Sequence, residues 1–136
     1  MVTLCKIDDV AAVIFPRKRI LCVEDNPGTC ELIAAILTDY VVESADTIAS
    51  ARERLAEAKF SLIVLDFHLP DGDGLALCGE IRRTDFQTPV IFITGDPTLS
   101  EAKVRVAGGQ RLIEKDSLTF VDDLISESDR LSLTVV

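Results

Sequence analysis

At 136 residues and 48% hydrophobic content, the chain suits one globular domain with a sizeable core and leaves no room for a second. A formal net charge of -9, from 14 Lys and Arg against 23 Asp and Glu, excludes a nucleic-acid-binding face, which needs clustered cations to neutralise phosphates. The longest uncharged apolar run, Val10 to Phe15, is far short of the ~20 residues of a membrane span and follows no basic stretch, so membrane insertion and secretion are not expected and the protein is read as cytoplasmic.

Residues 1–18 carry Leu4, Ile7, Ala11 and Ile14 at helical spacing until Pro16 stops the pattern, which predicts an amphipathic helix in an N-terminal extension. A helix of about 12 residues is marginal alone in water, so this stripe needs cover. The domain's own outer helices could provide it, or the same segment of a second molecule. A homodimer through this segment is the expectation, with a disordered tail or an extended segment as the other readings.

Arg19-Ile20-Leu21-Cys22-Val23 reads as an apolar strand ending in Glu24-Asp25, and Asn26-Pro27 then opens a helix with Leu32, Ile33, Ile36 and Leu37 on one face. Val41 to Ser44 is a short second strand, and Thr47 to Lys59 a helix with Ile48, Ala51, Leu55 and Ala58 facing inward. Ser61 to Asp66 contains four consecutive aliphatic residues, the signature of a strand buried on both faces, and it ends on a carboxylate. The helix after Gly74 is lined by Leu75, Cys78 and Ile81. Pro89 to Thr94 is the fourth strand. Ala102, Val106 and the Gly108-Gly109 stop describe a short helix, Arg111 to Lys115 is the fifth strand, and Leu118, Val121 and Ile125 mark the last helix. Cys5, Cys22, Cys30 and Cys78 form no CxxC pair and mostly have apolar neighbours, which predicts buried reduced thiols.

Five strands alternating with five helices imply parallel βαβ units, hence an α/β, doubly wound, three-layer sandwich with a five-stranded parallel sheet. The domain is placed at residues 19–130, with a C-terminal tail at 131–136. Parallel strands bring their carboxyl ends to one edge, so Glu24, Asp25, Asp66, Thr94 and Lys115 are expected to converge. Crowded carboxylates repel one another unless a cation neutralises them. A hard-oxygen set with so few carboxylates suits Mg²⁺ beside a phosphate. Asp66 is then placed to attack phosphorus, with the ion, Thr94 and Lys115 stabilising charge on the transferred oxygens.

The motifs Val23-Glu24-Asp25-Asn26, Leu65-Asp66, Leu69-Pro70, Asp73-Gly74-Leu75, Ile93-Thr94-Gly95 and Ala107-Gly108-Gly109 leading to Lys115 together resemble the receiver domain of two-component response regulators. The resemblance spans Arg19 to about Arg130 and implies a (βα)5 fold with the strand order 2-1-3-4-5 of a chemotaxis receiver. It implies that Asp66 accepts a phosphoryl group from a histidine kinase or histidine phosphotransfer protein. It implies Mg²⁺, or another divalent cation, on Asp25, Asp66 and the backbone carbonyl of His68, with Glu24 acting through water. Thr94 and Lys115 would contact the phosphoryl oxygens, and His68, Gly95 and Asp96 occupy modulating positions. The expected protein is a stand-alone signalling switch, not an enzyme beyond its own phosphorylation and dephosphorylation, that alters binding to a downstream protein.

Two departures from the family pattern stand out. Asp116 follows Lys115 where receivers usually carry a proline, and Leu112 occupies the position of the switch aromatic. They support an alternative, a degenerate receiver acting as a phosphorylation-independent interaction module. A haloacid dehalogenase-type phosphatase also uses a strand-end aspartyl phosphate, but it wants a second acid two residues after the nucleophile, where this chain has His68.

Overall fold

The computed structural model describes residues 17–132. The helix and the dimer contact expected of residues 1–18 fall on the N-terminal segment, which lies outside the described residues except for Arg17 and Lys18.

Five strands form one parallel sheet: β1 (Arg19–Val23), β2 (Val41–Ala45), β3 (Leu62–Asp66), β6 (Val90–Thr94) and β7 (Arg111–Glu114). Between β3 and β6 a small antiparallel ribbon pairs β4 (His68–Leu69) with β5 (Gly72–Asp73). Among the described residues five helices accompany the strands: α1 (Pro27–Ile36), α2 (Ile48–Glu57), α3 (Gly74–Ile81), α4 (Glu101–Ala107) and α5 (Phe120–Ser132). The main sheet runs β2-β1-β3-β6-β7, the doubly wound order expected for the five main strands. All its pairings are parallel, with Val23 opposite Leu65, Asp66 opposite Ile93 and Thr94 opposite Glu114.

β3 and β6 are buried at every position and β1 at all but its first, as their near-continuous aliphatic runs require. One face is covered by α1 and α5 through Ile33, Leu37, Phe120, Leu124 and Leu131. The other is covered by α2, α3 and α4 through Ile48, Ala51, Leu77, Cys78, Ile81 and Val104. Four of the helix starts carry side-chain caps. Asn26 accepts from the Thr29 amide ahead of Pro27, Thr47 and Ser50 form a capping box, Asp73 accepts from Ala76 and Ser100 from Lys103. Gly108 ends α4 at φ +103°, a left-handed conformation that suits glycine.

Several inward-facing assignments need correction. Leu32 is exposed on α1 beside buried Ile33, and Leu77 joins Cys78 and Ile81 in the α3 core while Leu75 is half-buried. In α4, Ala102 and Val106 face solvent and Val104 is the buried residue. That helix is two turns long with apolar residues on both sides, so its neighbours, not its pattern, choose the face. Leu118 precedes α5 and is exposed, as is Val121 within it, while Phe120, Leu124, Ser128 and Leu131 are buried. Two apolar stripes interleave there, and the one carrying the large Phe120 packs inward. The helix runs to Ser132, so Leu131 and Ser132, assigned to the tail from the sequence, are buried helical residues.

Candidate functional site

The carboxyl ends of β1, β3, β6 and β7 bring Glu24, Asp25, Asp66, Thr94 and Lys115 to one edge of the sheet. Glu24 and Asp25 follow β1, and the Glu24 amide donates to Ala45 O at 2.9 Å, extending the β1–β2 ladder one residue past the strand. Asp66 closes β3 opposite Ile93, and the Lys115 amide donates to Thr94 O at 2.8 Å, which sets Lys115 beside the end of β6. Glu24, Asp66 and Thr94 are buried; Asp25 is exposed and Lys115 partly so.

The geometry is that of an acidic pocket with an internal cation. Glu24, Asp25 and Asp66 each offer an oxygen within 4.8 Å of the others. Lys115 Nζ lies 2.5 Å from Glu24 Oε1 and 3.2 Å from Asp66 Oδ2. Burial pushes the Glu24 carboxyl above its ordinary pKa, and the Asp66 charge adds to this, against the stabilising contacts from Lys115 and the Asn26 amide. Burial pulls the Lys115 ammonium down, but its bond to Glu24 and the charges of Asp66 and Glu24 outweigh this and leave it above its ordinary value. Glu24 Oε2 accepts from the Asn26 amide at 3.1 Å, whereas the buried Oε1 has no hydrogen bond of ordinary geometry, only the ion pair. An all-oxygen donor set of three converging carboxylates fits a hard divalent cation and could hold a metal.

The surrounding loops are tied to the acceptor strand. The Gly74 amide donates to Phe67 O at 2.7 Å, and a Cβ at Gly74 would meet Asp66 O at 2.4 Å, so only glycine allows α3 to start this close behind the carboxylate. Asp71 accepts from the Ile48 and Ala49 amides at 2.8 and 3.1 Å, fastening the same loop to the start of α2. The Asp96 amide donates to the Thr94 hydroxyl at 2.9 Å. His68 is exposed at the rim; its Nε2 lies 2.7 Å from Asp96 Oδ2 and its ring tilts against Phe67 with centroids 4.5 Å apart. The hydroxyl and amide of Thr98, with the His68 ring, hold the Asp96 carboxyl at about 2. Gly95 faces open space, with no atom within 4 Å of where a Cβ would stand.

Both departures from the family pattern have a local outcome. The peptide bonds of the described residues are all trans, Lys115–Asp116 included, and Lys115 reaches Asp66. Leu112 is half-buried against the core, its amide donating to Glu101 Oε2 at 3.2 Å. The sequence reading missed a feature beside the acids. Cys30 Sγ donates to the Glu24 carbonyl at 3.3 Å. The available signal was the strand period that puts residues 22 and 24 on one face, beneath the first turn of α1.

The model of the response regulator receiver domain matches residues 20–121. The chain belongs to the response regulator receiver family. It is 35% identical over 94 residues to the signal transduction histidine-protein kinase BarA of Escherichia coli, covering 66% of this chain and 10% of that protein. It is 35% identical over 92 residues to the transcriptional regulatory protein BasR of Escherichia coli, covering 66% of this chain and 40% of the relative. The receiver thus spans well under half the length of these curated relatives. Among solved structures, a receiver domain protein described as CheY-like from Methanospirillum hungatei superposes with a TM-score of 0.77 at 26% identity, covering 87% of this chain and 96% of that one. NtrX from Brucella abortus gives 0.77 at 30% identity, covering 87% of this chain and 27% of the other. These likenesses place the domain in two-component signalling. Among the described residues, no helix is long and apolar enough to cross a membrane.

Proposed function

We propose that this receiver is a phosphoacceptor: Asp66 takes a phosphoryl group from a phosphohistidine of a histidine kinase or phosphotransfer protein and thereby alters binding to a downstream protein. The observation that carries the reading is Lys115 Nζ, within ion-pair distance of both Asp66 and buried Glu24, at the same sheet edge as Thr94. In the transfer, an Asp66 carboxylate oxygen attacks phosphorus, the P–O bond forms as the P–N bond breaks, and the donor histidine leaves with a proton. Lys115 is available to shift from Asp66 toward the incoming phosphoryl oxygens. Thr94 has its hydroxyl proton to donate, since toward the Asp96 amide it acts as acceptor. Asp25, Asp66 and the His68 carbonyl, with Glu24 through water, would hold Mg²⁺. When bound, the ion neutralises the carboxylates and the charge gathering on the transferred oxygens. The domain acts in the cytoplasm, catalyses only its own phosphorylation and dephosphorylation, and pairs with a second copy through residues 1–18.

The test is incubation of the full chain with a small phosphodonor such as acetyl phosphate, with and without Mg²⁺, followed by intact mass. One phosphoryl group appearing only with Mg²⁺, and lost in Asp66→Asn because an amide is not nucleophilic, is the expected result. An unmodified parent mass under all conditions would favour the phosphorylation-independent interaction module, and labelling that survives in Asp66→Asn would move the acceptor elsewhere.

A further inference from the structure

The turn that follows the acceptor strand is pinned by a carboxylate outside the acid cluster. β4 and β5 pair His68 with Asp73 and Leu69 with Gly72, which leaves Pro70 and Asp71 at the tip of the ribbon. There Asp71 Oδ1 accepts the Ile48 amide at 2.8 Å and Oδ2 accepts the Ala49 amide at 3.1 Å. These are the first two amides of α2, which have no carbonyl partner within the helix. The helix's own cap does not cover them, because Thr47 Oγ1 accepts from Ser50, at 2.9 Å. Gly72 allows the fit, since a Cβ there would stand 2.8 Å from Ile48 Cδ1. α2 is itself fixed, with Ile48 and Ala51 buried in the core. The near end of the turn is pinned as well: the Phe67 amide donates to Ile93 O at 3.3 Å, and Phe67 O accepts the Gly74 amide at 2.7 Å. His68 lies between these fastenings, on the ribbon and not on the main sheet.

The geometry points to Asp71 as a positioning residue for the metal: by fixing the ribbon tip to α2 it holds the His68 carbonyl in place for the ion, without touching the ion or the reacting atoms. This role rests on the metal site of the phosphoacceptor reading. Asp71 is not one of the converging acids, which are Glu24, Asp25 and Asp66. A ligand already in place loses little freedom when the ion arrives, whereas a loose one must be ordered as the ion binds, which weakens binding. Removing the two bonds therefore lowers metal affinity and leaves the chemistry after binding intact. The Ile48 amide, with that of Ala49, holds the Asp71 carboxyl below the ordinary aspartate range, so the clasp is charged at neutral pH. A negative charge also suits the N-terminus of α2.

Mg²⁺ is titrated calorimetrically into the full chain without phosphodonor, for the parent, Asp71→Ala, Asp71→Asn and Thr47→Ala. Asp71→Ala should raise the Mg²⁺ Kd about tenfold, the lower end of the effect of removing a group that orients a ligand. Asp71→Asn keeps one acceptor oxygen, should fall between, and decides the matter if the alanine variant does not fold. Thr47→Ala weakens the start of α2 through the Ser50 bond alone, so it should lower the melting temperature yet leave the Kd within about twofold. With acetyl phosphate, Asp71→Ala should need more Mg²⁺ for half-maximal labelling of Asp66 while reaching the parent's maximal rate, whereas a merely structural loss would lower the maximum. A parent that binds Mg²⁺ but is never labelled, with the affinity shift present in Asp71→Ala, would sink the phosphoacceptor reading and uphold the role of Asp71. A Kd in Asp71→Ala equal to the parent's, an equal shift in Thr47→Ala, or a parent that binds no Mg²⁺ would each overturn the assignment.

Discussion

Lys115 Nζ lies nearer to Glu24 Oε1, at 2.5 Å, than to Asp66 Oδ2, at 3.2 Å. The ammonium's first duty in the metal-free domain is therefore to offset a buried glutamate. Lys115→Met should lower the unfolding free energy by about 2 kcal/mol at neutral pH, below the usual cost of breaking a buried pair because Lys115 is partly exposed. A urea titration of the metal-free chain checks this.

The raised pKa of Glu24 fixes the sign of a pH effect. A carboxyl whose folded pKa is above its unfolded value favours the folded state below the unfolded pKa and loses that contribution as pH rises through the folded pKa. Glu24→Gln removes this dependence. The melting temperature of Glu24→Gln relative to the parent, both without metal, should therefore climb as the pH rises above the ordinary carboxyl range. A flat difference would show that burial does not raise the Glu24 pKa in the folded state.

Thr94 is buried and its hydroxyl accepts the Asp96 amide at 2.9 Å. Thr94→Ala should cost about 1 kcal/mol of stability through this bond and leave metal affinity nearly unchanged. On the phosphoacceptor reading it should also blunt the change in partner affinity on phosphorylation, while Thr94→Ser keeps it. Calorimetry with the metal and partner titration of the labelled variants separate these effects.

Gly74 has no room for a methyl group against Asp66 O. Gly74→Ala should destabilise the domain by about 1–3 kcal/mol and slow labelling of Asp66, because the start of α3 must retreat from the acceptor. Gly95→Ala, at a position with open space, is the control that should do neither to the same extent.

His68 and Asp96 join the loops that follow β3 and β6. The pair is solvent-exposed, so its removal should change stability by less than about 1 kcal/mol. Its effect should appear in the lifetime of the phosphorylated state. A decay series with His68→Ala, Lys and Glu should give rates that differ from the parent, and identical rates in all three would mark His68 as a plain rim residue.

The strands and the site residues at their ends were legible because burial on both faces demands long aliphatic runs, and the polar residue that stops each run is conspicuous. β1, β3 and β6 show this in turn with Glu24, Asp66 and Thr94. The faces of α4 and α5 were not. Val106 and Leu118 are apolar yet solvent-facing, and period alone cannot choose between stripes when a short helix carries apolar residues all round. The antiparallel ribbon of β4 and β5 escaped because two-residue strands have no period to read. The bond from the Cys30 thiol to the Glu24 carbonyl was equally hidden, since it depends on how α1 crosses the sheet and not on spacing in the chain.

β3 and β6 lie side by side, buried along their whole lengths. Their amide protons should exchange with deuterated water only when the entire domain opens, while the loops that follow them exchange by local fraying. Asp66 is mounted on a strand buried at every position, bordered by segments whose links across the rim include a single exposed ion pair. A charge added at that carboxylate meets an unyielding floor and yielding walls, so the deuterium uptake it alters should be confined to residues 67–74 and 95–100, leaving the strands as an internal standard.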